Sequence, residues 1–355
     1  MTTFLLALTL YVSTLASTAA PATITPNAIV GASATLAPDA TLASATPVAP
    51  ATITPNAIVG ASATLAPPSD TAALLGRWDL TVNMGGHPVP SWFEVIKSGT
   101  RMLVGRFVGG GGSARPVSRY YFDDGKLHFS IPPQWEREDR DLSVEGHFEG
   151  DSLVGTLVQP NGKQYNWVGH KAPSLHRSGK PVWNSPVAIF DGKTLTGWHT
   201  PGANQWLAEN GVLRSPHSGS NIITDGKYGD FRLHIEFRYP KGSNSGVYLR
   251  GRYEVQIEDL EGAEPPNDVI SAVYGFLPPS TVASKGPGEW QTYDITLIGR
   301  LVTIVFNGKT VICNAEIPGI TGGALDSREG EPGPIYLQGD HGPIEYRNIT
   351  IQTAK

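Results

Sequence analysis

From residue 76 onward, apolar and polar positions alternate in short runs, and glycine-containing breaks separate the runs. GRWDLTVNM, SWFEVIKSG, RMLVGRFVGG, SRYYFDDGKLHFSI, LSVEGHFEGDSLVGTLVQP and QYNWVGHKAP each carry the period of two that marks a half-buried strand. Asp124-Gly125 and Asn161-Gly162 are hairpin turn signals. Six or more antiparallel strands in about 100 residues predict a small up-and-down barrel over residues 71–172. A linker, PSLHRSGKPVWNSP, follows over 173–186. The pattern then resumes. In residues 231–239, Phe231, Leu233, Ile235, Phe237 and Tyr239 face one side, and Arg232, His234, Glu236 and Arg238 the other. Residues 253–258 set Glu254, Gln256 and Glu258 on one face in the same way. A hairpin around Asn307-Gly308 and strands over 335–338 and 346–351 complete the second unit. No helical periodicity of ten or more residues occurs. The expected fold is all-β: a small antiparallel barrel, then a two-sheet jelly roll over 187–355.

The N-terminus has a different texture. Residues 1–20 place an apolar centre before small residues, the pattern of a secretory signal peptide, although no Lys or Arg precedes it. The expectation is export to the periplasm, cell surface or medium. PATITPNAIVGASATLAP spans 21–38 and recurs identically over 50–67. Two copies are too few for a solenoid. The Ala/Thr/Pro-rich stretch to residue 69 reads either as an extended linker or as a β-prone donor that adds to a neighbour's sheet edge and drives self-association.

Composition narrows the function classes. A net charge of −5, from 27 Lys and Arg against 32 Asp and Glu, leaves no basic surface for a nucleic-acid partner. Cys313 is the single cysteine, so an internal disulfide and a cysteine-based zinc site are excluded. After the leader, no apolar run reaches the roughly 20 residues of a transmembrane helix. The sequence contains no HExxH, EF-hand or dinucleotide fingerprint, so no cofactor is assigned. A divalent metal remains open, because His234, Glu236 and Glu254 could converge on one. The run of four glycines over 109–112 precedes no helix pattern and reads as a hairpin loop, not a phosphate cradle. The charged stretch after Pro132-Pro133-Gln134-Trp135 reads as a solvated rim.

Two resemblances add to this. Gly76-Arg77-Trp78 resembles the G-x-W opening of lipocalin-like barrels, whose Trp plugs the closed end. FDGKTLTGW, KYGDFRLHIEFR, NSGVYLRGRYEVQIED, GPGEWQTYDI, the Asn-Gly hairpin, GPIYLQGDHG and IEYRNITI occur in an order that resembles the 3-keto-disaccharide hydrolase family over residues 187–353. That resemblance implies a concanavalin-A-like fold acting on oligosaccharides or glycosides oxidised to a ketone at C3. A C3 ketone acidifies the C2 hydrogen; a base removes it, the enolate expels the C1 substituent, and water adds to the product. Such chemistry needs a general base, an electrophile at the ketone oxygen and an acid or metal near the leaving group.

The polar strand faces supply candidates for these roles. Glu236 and Glu254 are the leading bases, each on a rigid strand opposite the core. His234, two residues from Glu236 on the same face, is a proton donor or metal ligand. Arg250 is a cation for the ketone or enolate oxygen. His341 and Lys285 lie in Gly/Pro-rich loops expected to border the cleft. Asn244, Gln256 and Gln338 would position hydroxyls, and Tyr248 or Trp290 would stack on a sugar. Competing structural readings exist: Trp290 as core, Arg232 and Arg238 pairing with Glu236 across a solvated face, His341 as a turn residue. Two other functions stay open. EVQIE resembles the E-x-D-x-E strand of retaining glycosidases, but Gln256 replaces the central carboxylate. Glu254 and Glu258 also lie about 13 Å apart along a flat strand, where retention wants about 5–5.5 Å. The alternative is a non-catalytic carbohydrate-binding or filament protein assembled through its N-terminal repeat.

Overall fold

A computed structural model of the protein describes residues 71–134, 136–259 and 267–355. The leader, the repeat and Trp135 lie outside the described residues. Eight strands form a closed antiparallel barrel: β1 (Gly76–Met84), β2 (His87–Ser98), β3 (Met102–Val108), β4 (Arg115–Asp123), β5 (Lys126–Ile131), β6 (Leu142–Glu149), β7 (Ser152–Val158) and β8 (Gln164–Lys171). Each pairs with the next, and β8 returns to β1. Closure bends the strands sharply where glycine permits it. A Cβ at Gly105 would overlap the Glu94 carbonyl, and one at Gly155 the Glu145 carbonyl. Trp78 lies in the barrel's own apolar cluster. It is buried, donates from Nε1 to the Leu74 carbonyl at 2.8 Å, and packs edge-on against Phe148 at 5.8 Å. The four-residue helix α1 (Thr71–Leu74) supplies that carbonyl.

The second unit is a sandwich of two antiparallel sheets. Its shorter strands are β9 (Val187–Ala188), β10 (Trp198–His199), β11 (Leu207–Glu209), β12 (Val212–Ser215), β13 (Ile222–Thr224) and β20 (Tyr336–Leu337). Its longer ones are β14 (Phe231–Arg238), β15 (Asn244–Leu249), β16 (Tyr253–Glu258), β17 (Gln291–Ile298), β18 (Leu301–Phe306), β19 (Lys309–Glu316) and β21 (Ile344–Thr353). One sheet runs β10-β13-β20-β15-β16, the other β11-β12-β21-β14-β17-β18-β19, with β9 beside β21. The core lies between them. Phe231, Leu233, Ile235 and Phe237 of β14 meet Val247 and Leu249 of β15 and Tyr253, Val255 and Ile257 of β16 in one buried cluster. Because the period is two, the alternate residues of β14 and of β16 point out of the sandwich in opposite directions. That geometry decides which polar residues can share a site.

The two units touch through specific groups. Trp92 of β2 is buried in the sandwich's own apolar cluster, edge-on to Phe276 at 5.7 Å. Arg300, on the sandwich, holds the Pro173 carbonyl at 2.8 Å and the buried Glu329 at 3.0 Å. Tyr253 donates to Glu329 Oε1 at 2.6 Å. Asp79 of β1 hydrogen-bonds the same carboxylate; burial first, and the Glu329 charge next, push it up to about 9. A protonated Asp79 beside the Glu329 carboxyl is therefore part of the contact.

Candidate active site

β15 and β16 pair with Tyr248 opposite Glu254, Gly246 opposite Gln256 and Asn244 opposite Glu258. Since Tyr253, Val255 and Ile257 fill the core, Glu254, Gln256 and Glu258 project from the outer face, with Asn244 and Tyr248 beside them. These five form the floor of a cavity of about 310 Å³. Its walls come from Asp268, Tyr274, Gly322, Gly323, Gln338 and His341 of the sandwich, and from Gly111 and Gly112 of the barrel.

Glu254 is the central acid. It is 3% exposed, yet its carboxyl belongs to the cavity. Burial pushes it up to about 8; the Tyr248 hydrogen bond pulls it back, and the charges of Asp340, Glu258 and Asp268 raise it further. The Tyr248 hydroxyl stands 2.8 Å from Glu254 Oε2 and 3.0 Å from the Gly322 carbonyl oxygen. With one proton, the phenol donates to an ionised Glu254, or to Gly322 while accepting from a protonated one. Either charge state of Glu254 is thus satisfied without a structural change. Gly246 makes room for the acid, because a Cβ there would overlap Glu254 Oε1. The main chain of Glu254 is pinned as well, its N–H donating to Thr321 Oγ1 at 3.0 Å and its carbonyl accepting from Tyr274 N–H at 3.1 Å.

The surrounding polar groups are oriented. The Tyr248 ring stacks on Tyr336 at 4.2 Å, and Asn221 Nδ2 donates to the Tyr336 hydroxyl at 2.7 Å. Gln256 Nε2 donates to Glu258 Oε2 at 3.1 Å, while its Oε1 accepts from Ile257 N–H at 3.1 Å. His341, half-exposed at the rim, holds Asp340 Oδ1 through Nδ1 at 2.7 Å. Gln338 lines the cavity, and its Oε1 is buried with no hydrogen-bond partner in the protein.

Six sequence candidates thus meet: Glu254, His341, Asn244, Tyr248, Gln256 and Gln338. Four lie elsewhere. His234 and Glu236 point outward from β14, in the other sheet. His234 Nδ1 sits 2.7 Å from Asp294, and Glu236 takes hydrogen bonds from Arg347 and Asn348, both at 2.7 Å. Although burial works the other way, those two donors hold Glu236 below its ordinary carboxylate range. The convergence of His234, Glu236 and Glu254 on one ion is therefore not realised. Among the described residues no group of three or more His, Cys, Asp or Glu is arranged around a common point. Arg250 turns away at a positive φ of 54°, binding the Gly299 carbonyl with its guanidinium 5.2 Å over the Tyr253 ring. Lys285 donates to the Trp290 carbonyl at 3.1 Å, and Trp290 lies under Arg347 at 3.9 Å and Arg238 at 4.8 Å. Asp268, Tyr274 and the two glycine pairs were not legible as site residues, because they reach the cavity through loops with no period to read.

Residues 185–352 match the sequence profile of the 3-keto-alpha-glucoside-1,2-lyase-like domain. A stretch of 105 residues is 34% identical to a 3-keto-disaccharide hydrolase of Bacteroides thetaiotaomicron; it covers 26% of this chain and 34% of that protein, so the chain spans about a third of that relative. A crystal structure of a Parabacteroides distasonis protein assigned as a glycosyl hydrolase is 29% identical, with half of this chain and 92% of that one covered at a TM-score of 0.40. A Bacillus subtilis carbohydrate-binding module is 13% identical, over 44% and 96% of the two chains, at a TM-score of 0.31. The barrel lies outside the profile match. The sandwich over residues 185–352 is thus similar to the 3-keto-alpha-glucoside-1,2-lyase-like domain.

Proposed function

We propose that this protein cleaves 3-keto-glycosides at the cavity built on β15 and β16, with Glu254 as the general base. The observation that carries the proposal is a single buried carboxyl, raised to about 8, at the centre of a polar cavity. A base tuned toward neutral pH suits abstraction of a carbon-bound proton far better than an ordinary carboxylate. In the proposed sequence, Glu254 takes the C2 proton and the C–H electrons form the enolate across C2 and C3. The enolate re-forms the ketone as the C1–O bond breaks, and the leaving oxygen takes a proton from the solvent-facing His341. Water then adds at C1 and gives up a proton to His341, which restores the acid; Glu254 returns its proton to C2, so the net change is hydrolysis. The Tyr248 proton follows the charge on Glu254 through these steps. The Asn244, Gln256 and Gln338 amides supply groups for sugar hydroxyls.

This chemistry needs one buried base, whereas retaining hydrolysis needs two carboxyls about 5–5.5 Å apart. Glu254 and Glu258 both line the cavity but stand four residues apart on one strand, and Glu258 is held by Gln256. The test is incubation of the purified protein with a 3-keto-disaccharide and with its unoxidised parent, following release of the C1 substituent. Release from the keto sugar alone is expected. Release from both substrates would favour the glycosidase reading, and release from neither would favour a binding role.

A further inference from the structure

The barrel contributes backbone to the cavity that holds Glu254. Gly111 and Gly112 lie in its wall. The loop carrying them approaches the sandwich backbone to backbone at Gly110 and Gly112. Gly323 N–H donates to the Gly110 carbonyl at 3.1 Å. A Cβ on Gly322 would overlap Gly112, and one on Gly275 would come within 2.8 Å of Ala114 N. Gly112, Gly323 and Gly275 have φ of +77°, +76° and +72°, a backbone region that side chains disfavour. Trp92, buried in the sandwich cluster, anchors the strand that pairs with β3, which runs into this loop. The glycine run is therefore a fitted wall. Gly111 differs from its neighbours. It does not have a positive φ, and a Cβ built on it meets nothing within 4 Å, so its surroundings are open space.

We infer that this barrel loop is the size filter of the site: Gly111 keeps the wall thin so that a substituent larger than a methyl group on the keto sugar can enter beside Glu254. The inference rests on the proposed reaction for its substrate, but its geometry can be read without turnover. The barrel lies outside the matched domain, so the filter is a property of this two-unit chain.

The experiment uses the full chain carrying Cys313→Ser, which removes the exposed native thiol, and adds Gly111→Cys. Methanethiosulfonates of increasing size then thicken the wall in one folded protein. Gly111→Leu provides a permanent version. Two quantities are read: the ratio of kcat/KM for a methyl 3-keto-glucoside to that for a 3-keto-disaccharide, and carbodiimide-driven amide formation at Glu254 by mass spectrometry. The expected result is a ratio rising by about 30-fold from the smallest to the largest tag, with Glu254 modification falling in step. A ratio constant within about threefold overturns the inference, because a filter must discriminate by size. If the unlabelled protein turns over neither substrate, the proposed reaction fails and Glu254 modification alone decides. Modification that ignores tag size then overturns the filter; modification that declines with it upholds the wall.

Discussion

Tyr248 and Glu254 face each other directly across β15 and β16, hydroxyl to carboxylate at 2.8 Å, in a cavity floor whose reverse side is the sandwich core. Cross-strand partners on one face are the closest neighbours a sheet offers. Two rigid strands therefore hold the acid and its hydrogen-bond partner, while loops supply the remaining walls.

Glu254→Gln keeps the shape and removes the base. Turnover of a 3-keto-disaccharide should fall about 1,000-fold with the circular-dichroism spectrum intact. Retention of more than about a tenth of the activity would remove Glu254 from the role.

The pH profile carries a definite sign. A carboxyl raised to about 8 is protonated over most of the neutral range, so a base role gives kcat/KM a rising limb with its midpoint near 8. Tyr248→Phe deletes the hydrogen bond that pulls Glu254 down, so the midpoint should move to higher pH. A midpoint that moves down instead would contradict the assignment of that hydrogen bond to the ionised form.

Gly246→Ala probes the space beneath the acid. The added methyl overlaps Glu254 Oε1, so the carboxyl must turn out of its place. Activity should drop sharply, with stability lowered by about 1–3 kcal/mol in urea titration. Wild-type turnover in this variant would mean that Glu254 need not sit where it does.

Asp79 bears on the barrel–sandwich contact. Its pKa is raised on folding, so its contribution is fully present below the unfolded value of 3.8 and is lost as pH rises through about 9. Melting temperature should decline between neutral and alkaline pH, and Asp79→Asn, which cannot ionise, should flatten that decline. Parallel profiles for the two proteins would exclude Asp79 as the source.

Glu236→Gln is the negative control. The residue pairs with Arg347 and Asn348 on the outward face of β14, so turnover should stay within about twofold and stability change by at most about 1 kcal/mol.

Strand alternation alone determined that the chain is two antiparallel β units and that Glu236 and Glu254 point away from the apolar core, because period two is a local property of the backbone. It could not separate these two acids, since each sits between core residues in an equivalent pattern. Sheet packing separates them. The outer face of β16 is roofed by loops at 268–274 and 322–323 and by a barrel loop from residues 111–112, which strips water from Glu254 and raises its pKa. The outer face of β14 offers Glu236 two hydrogen-bond donors, Arg347 and Asn348, which keep it ionised. Burial depends on which segments close over a side chain, and the residues that close over Glu254 lie between 14 (Asp268) and 143 (Gly111) positions from it in the sequence. For the same reason the glycine run over 109–112, a loop when read along the chain, became a wall of the site only once the barrel was seated on the sandwich.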